Sequence, residues 1–306
     1  MNPPHPQFRR VIVHADDLGY SDAVNRGILR AHTHGVVTST AFMSNMDFAE
    51  AGARLVKPHP SLGTGLHLNL TEGMPLTDAK SLRGKDGQFR DLKGQLIALT
   101  TGRVVAREIE VEVNAQWDRM RSMDLPVAHI NGHQHIHLFG DVLPITLDMA
   151  RRLKTPVRRP VEPLWGNLGG SIAYFIRRLL LRWGVARGTW DGIESPDHFI
   201  ELTGPRHGRS AQWLTNEILS REGLIEVLCH PGEFDPDTTE PLRDRRVEEL
   251  TILTTAGLRD RWTSAGIHPG NQHPGNQHPG NQHPGNQHPG NQHPGNQHPG
   301  TKTTSV

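Results

Sequence analysis

Asp16 and Asp17 close the first apolar run of the chain, Val11-Ile12-Val13-His14-Ala15-Asp16-Asp17. The run reads as a buried strand that delivers two carboxylates to its C-terminal end. In parallel α/β folds that end is where active sites form. Two like charges side by side are costly unless a cation or a proton separates their roles. The pair therefore points to a metal-dependent site and prompts a search for further ligands.

Strand parity supplies them. In Gly65-Leu66-His67-Leu68-Asn69-Leu70, His67 and Asn69 share one face and the three leucines take the other. In His129-Ile130-Asn131-Gly132-His133-Gln134-His135-Ile136-His137, four histidines and Asn131 fall on one parity, and Ile130 and Ile136 on the other. With Leu66 and Ile130 against helices, the histidines face the interior or its upper rim. A single buried histidine is more often a satisfied core residue. Two such strands and an aspartate pair favour a metal site.

One carboxylate and two imidazoles leave positions open for water and substrate, as a catalytic metal requires. Neighbouring strand residues diverge, so Asp16 and Asp17 are expected to split their roles. One would ligate. The other would take the proton from a water that the metal acidifies. His230 ends the run Ile225-Glu226-Val227-Leu228-Cys229. It is either a proton donor to the leaving group or a histidine hydrogen-bonded at a strand end. Cys229 points the other way, into the core.

Four motifs together carry a family resemblance. Ala15-Asp16-Asp17-Leu18-Gly19, Gly65-Leu66-His67-Leu68, Asn131-Gly132-His133-Gln134-His135-Ile136-His137 and Cys229-His230-Pro231-Gly232 resemble, in order and spacing, the YdjC-like carbohydrate deacetylases. That family includes chitooligosaccharide and hopanoid-biosynthesis-associated deacetylases. The likeness runs from about Arg10 to Gly266. It implies a β/α-barrel and hydrolysis of an acetamide on an N-acetylated amino sugar. By position it implies Asp17, His67 and His133 as metal ligands and Asp16 as general base; His230 stays a candidate catalytic residue on the strand-end reading above. Asp197-His198-Phe199 resembles a family segment near the pocket, which places Asp197 and His198 near substrate, while His135 and His137 are expected either to orient the metal ligands or to touch substrate. Mg²⁺ is the cation the resemblance implies, and a homodimer the assembly. Two imidazoles and a carboxylate would suit Zn²⁺, Mn²⁺ or Co²⁺ better. Another metal-dependent hydrolase on the same barrel, such as a phosphoesterase, and a degenerate sugar-binding protein are the alternatives.

Positioning these residues takes alternating strands and helices. Strands are expected at Val36–Ser44, Leu62–Leu70, Val127–Gln134, Val157–Val161, His198–Leu202 and Leu224–His230. Between them, Ser21 caps a helix to about His34, and helices are expected at 48–57, 103–123, 141–153, 171–183, 210–221, 245–256 and 258–265. Short links between such elements imply parallel strands with crossover helices. The fold class is α/β, a TIM-like (β/α) barrel, with an open doubly wound sheet as the alternative. No glycine-rich phosphate fingerprint follows the first strand. The polar stretch Thr71–Gly102 is long enough to cover the barrel mouth, and Trp165 is a candidate to stack on a sugar ring or simply to pack.

From His268 the chain repeats His-Pro-Gly-Asn-Gln. Proline every fifth residue and no large apolar side chain predict a disordered tail. The barrel domain is thus expected at 1–267 and the tail at 268–306. The last barrel strand should begin near Gly266-Ile267, where the repeat starts, so the barrel is expected to be open there or to have lost its native end. A net charge of +1 gives no electrostatic case for nucleic acid. No apolar run is long enough to span a bilayer, and a cytoplasmic location is the expectation. One cysteine excludes a disulfide framework.

Overall fold

The computed structural model describes residues 9–161, 172–203 and 209–271. Trp165 and the repeat beyond Asn271 lie outside the described residues. Among the described residues seven strands form one parallel sheet: β1 (Arg9–Leu18), β2 (Ser39–Phe42), β3 (Gly63–Leu68), β4 (Ile130–Gly132), β5 (His198–Glu201), β6 (Leu224–Cys229) and β7 (Ile267–Pro269). The order is β4-β3-β2-β1-β6-β5, with β7 on β1. Residues 156–158 lie between β4 and the segment ahead of β5. Ile130 N donates to Pro156 O (2.9 Å), Arg158 N to Ile130 O (3.0 Å), and Val157 N to Glu194 O (3.1 Å). This arrangement is compatible with a TIM-like barrel. The strand expected at Val157–Val161 reduces to a single bridge, Ile130 to Val157.

Alternation along the strands separates two environments. Val11, Val13 and Ala15 of β1 and Ile225, Val227 and Cys229 of β6 join the apolar cluster with the helices. The intervening Ile12, His14, Asp16, Leu224, Glu226 and Leu228 take the opposite face. The helices are α1 (Asp22–Thr33), α2 (Ala49–Val56), α3 (Leu92–Thr100), α4 (Ala106–Ser122), α5 (Val142–Leu153), α6 (Ile172–Arg187), α7 (Ala211–Leu219), α8 (Arg243–Leu253) and α9 (Leu258–Ser264). Ser21 caps α1 as expected, its hydroxyl accepting from Val24 N at 3.2 Å. Gly27 of α1 lies against Gly232, where a Cβ would come within 2.4 Å of the Gly232 Cα. This close approach seats the loop that follows β6. On α4 the buried positions Ile109, Glu112, Val113, Gln116 and Met120 form one face. Two of them are polar, an exception to the pattern of a core-facing helix.

The last strand is present, which corrects the expectation of an open or displaced end. Ile267 is fully buried and pairs with Arg9 on β1. The first copy of the repeat continues the pairing. Gly270 N donates to Val11 O (2.9 Å), Thr38 Oγ1 to Gly270 O (2.8 Å), and Asn271 Nδ2 to Ser61 O (3.0 Å). Backbone groups of the repeat are sufficient for this, because a parallel ladder needs donors and acceptors rather than apolar side chains. The expected boundary at residue 267 therefore falls inside a strand.

Among the described residues no helix is long and apolar enough to cross a membrane.

Candidate metal centre

The two aspartates do not diverge as regular strand neighbours would. The β1–β2 register shifts between Ala15 and Leu18, and Asp17 has φ 75°. A non-glycine residue in that left-handed region is strained. The irregularity turns both carboxylates into the same cleft, which has a volume of about 710 Å³.

Asp17, His67 and His133 each offer one ligand atom, and these atoms lie within 4.8 Å of one another. Asp17 Oδ1 is 3.2 Å from His67 Nε2 and 3.1 Å from His133 Nδ1. The surrounding hydrogen bonds define the donor atoms. Asp16 is anionic and needs donors, so Asn131 turns its Nδ2 toward Asp16 Oδ1 (3.0 Å). Its Oδ1 then faces His67 Nδ1 at 2.7 Å and accepts that proton. His67 Nε2 is left with its lone pair toward Asp17. An oriented imidazole, a second imidazole and a carboxylate make a set that fits a divalent cation. Without one, burial lowers the pKa of His67, but the Asp16 and Asp17 carboxylates outweigh this and raise it.

His133 reaches this cluster by a route different from the one expected. β4 ends at Gly132. His133–Leu138 form a 3-10 turn in which Gln134 and His135 have φ of 52° and 59°. Period-two parity therefore covers His129 and Asn131 but not His133, His135 and His137. The left-handed turn sends His135 against Arg177, whose Nη2 lies 3.0 Å from His135 Nε2. His137 Nε2 meets the Arg158 carbonyl at 3.1 Å. Burial lowers both histidines. The nearby Arg177 and Arg158 take His135 well below its ordinary range, and His137 falls to about 3.

The expected positions Asp197 and His198 are not brought to the cleft. They sit at the start of β5, where His198 pairs with Ile225 and Asp197 Oδ2 accepts from Leu224 N at 2.8 Å. The cleft opens at the other end of the strands. There the same chain segment contributes Glu201 and Thr203.

His230 lines the cleft. Its Nδ1 is 2.6 Å from Thr203 Oγ1, its backbone N donates to Glu249 Oε2 at 2.6 Å, and its Nε2 lies 4.0 Å from Asp16 Oδ2. Cys229 is buried, with Sγ 3.3 Å from the His14 carbonyl oxygen. Burial pushes its thiol well above the ordinary value.

Two buried arginines escaped the sequence reading. Arg158 donates from Nη1 and Nη2 to Asp16 (2.7 and 2.9 Å) and from Nε to Glu226 (2.7 Å). Arg246 donates to Asp17 Oδ2 at 2.7 Å and pairs with Glu240. Burial drives both aspartates up, yet Arg158 beside Asp16 and Arg246 beside Asp17 hold them well below the ordinary carboxylate value. A signal existed. Glu226 stands inside the apolar run Leu224–Cys229, and a carboxylate inside a buried strand demands a cation. Nothing local says which cation supplies it.

The strand ends thus define an α/β protein with an Asp-His-His group able to hold a metal and a second, arginine-held aspartate beside it. The chain belongs to the YdjC-like protein family, whose model matches residues 10–264. It is 36% identical over 261 residues to a carbohydrate deacetylase of Geobacillus stearothermophilus, covering 85% of this chain and 95% of the relative. It is 32% identical over 266 residues to a chitooligosaccharide deacetylase of Proteus mirabilis, covering 85% and 96%. A crystal structure from Enterococcus faecalis V583, of a protein described in terms of cellobiose-phosphate cleavage, superposes with a TM-score of 0.68. It shares 23% identity and covers 86% of this chain and 97% of that one. This last likeness concerns the fold alone.

Proposed function

We propose that the protein is a metal-dependent carbohydrate deacetylase that hydrolyses the N-acetyl group of an amino sugar, releasing acetate and a free amine. The carrying observation is the convergence of Asp17, His67 and His133 within 4.8 Å beside Asp16. The names of its relatives agree with this chemistry. The catalytic domain is assigned to 1–271, so that it includes the whole of β7, with the remaining repeat as a tail.

A divalent cation held by these three side chains supplies Lewis acidity toward the acetamide carbonyl and lowers the pKa of water at the site. Two imidazoles and one carboxylate suit Zn²⁺, Mn²⁺ or Co²⁺ better than Mg²⁺. Asp16 accepts the proton of the attacking water. Its Oδ1 is occupied by Arg158, Asn131 and His14. Oδ2 binds Arg158 but also faces His67 (3.8 Å) and His230 (4.0 Å), so Oδ2 is the proton acceptor. His230 Nε2 is on the cleft side, because Nδ1 is engaged by Thr203, and it protonates the leaving nitrogen. His135 stays neutral and, with Arg177, forms the wall that receives the sugar.

The test is acetate release from chitobiose, longer chitooligosaccharides and N-acetylglucosaminyl lipids, with and without a chelator. Release from at least one, abolished by chelation and restored by a divalent cation, is expected. Absence of release from every substrate rejects the reading.

A further inference from the structure

Glu72 differs from the other acids of the cleft. Asp16 is paired with Arg158, Asp17 and Glu240 with Arg246, and Glu201 with Arg177. The half-buried Glu72 lines the same cleft, and among the described residues its carboxylate has neither an ion pair nor a hydrogen bond.

Its backbone, by contrast, is clamped. Glu72 N donates to Asn69 Oδ1 (3.1 Å). Glu72 O accepts from Asn69 Nδ2 (2.7 Å) and Asn45 Nδ2 (3.1 Å). Behind the clamp stands the polar pair on the core face of α4. Gln116 accepts from Asn69 N (3.0 Å) and donates to Asn69 O (2.7 Å) and Glu112 Oε1 (2.9 Å). Glu112 in turn accepts from Leu76 N, Thr77 N and Thr77 Oγ1 at 3.0, 3.0 and 2.6 Å. Asn69, Glu112 and Gln116 are fully buried. Burying such groups is unfavourable unless every member is satisfied, and apolar side chains would anchor a loop more simply. What the network achieves is placement. It holds the 69–77 segment, and Glu72 within it, at one setting beside the cleft, as a preorganised binding group requires.

We propose that Glu72 is a substrate-binding residue whose carboxylate accepts hydrogen bonds from hydroxyls of the sugar that carries the N-acetyl group. The inference rests on the deacetylase reading above. A carboxylate is acceptor-only, and hydroxyls are the most numerous donors of a neutral amino sugar. Hydrogen bonds to an ionised acceptor are about twice as strong as neutral ones.

The test compares wild type, Glu72→Gln and Glu72→Ala by acetate release from the substrate of the above panel that wild type cleaves best and from the monodeoxy analogues of that substrate. Removing the acceptor is expected to lower kcat/KM by about tenfold or more, with Glu72→Gln between the two. Melting temperature and bound metal should not change, because the side chain has no protein partner to lose. At least one deoxy analogue should be poor for wild type yet no poorer for Glu72→Ala. The assignment is overturned if Glu72→Ala retains wild-type kcat/KM, or if the deoxy penalties multiply with the mutation at every position. Wild type that releases no acetate from any substrate of that panel rejects the deacetylase reading, and the assignment with it. Active wild type beside an equally active Glu72→Ala rejects the assignment alone.

Discussion

Arg158 grips Asp16 through both terminal nitrogens, Nη1 to Oδ2 at 2.7 Å and Nη2 to Oδ1 at 2.9 Å, with each residue only 3% exposed. The same guanidinium holds Glu226 through Nε. Arg158→Met would leave two buried carboxylates without their cation, at a cost of about 3–5 kcal/mol. Denaturant unfolding should show this loss, and adding Glu226→Gln should recover part of it. Asp16 would also lose its orientation, so kcat should fall about a hundredfold or more in acetate release.

Asn131 separates metal binding from proton transfer. It fixes the His67 tautomer through one amide atom and donates to Asp16 through the other. Asn131→Ala should weaken metal affinity about 10–100-fold, as read by titration calorimetry. His133→Ala should lose metal and activity together. Asp16→Asn should abolish turnover while metal content by mass spectrometry stays largely intact.

Buried histidines give the metal-free protein an acid-sensitive stability. His14, His135 and His137 are lowered by burial. Below the ordinary value of 6.5 the unfolded chain binds protons that the folded chain refuses. Stability therefore falls as pH drops, and for His137 it continues to fall until about 3. Between pH 6.5 and 5 this one residue should remove about 2 kcal/mol. His67 runs the other way, since its raised pKa adds stability that is full below 6.5 and lost as pH rises through the folded value. Asp16 and Asp17 add stability above the ordinary 3.8 that is lost on further acidification. Urea unfolding at pH 7 and pH 5 should show a net loss at the lower pH. His137→Gln should flatten that slope.

The repeat cannot specify its own register, because every copy has the same sequence. Ile267 can, since it is buried and precedes only the first copy. Truncation after Asn271 should leave the melting temperature unchanged. Truncation after Gly266 should lower it sharply. Ile267→Gln places at the anchor the residue that precedes every later copy, and it should cost about 2–4 kcal/mol. Thermal and urea unfolding of the three variants check this.

Local sequence determined the parts of this protein that depend on short-range geometry. Alternation along 65–70 placed His67 on the polar face, Ser21 marked the start of α1, and the motif set pointed to the family. Alternation failed where backbone dihedrals left the strand region. Asp17 at φ 75° joins Asp16 in one cleft, and the turn at Gln134 and His135 carries the later histidines off the strand. These departures follow from tertiary packing rather than residue type. The same holds for charge. Asp16 meets Arg158 across 142 residues and Asp17 meets Arg246 across 229. The segment Asp197-His198 goes to the far end of β5, while Glu201 and Thr203 reach the cleft. The sequence determined that buried charges would need partners. Only the packing of the parallel strands decided which partners, because ion pairing across the sheet depends on strand order and register, and a linear pattern carries neither.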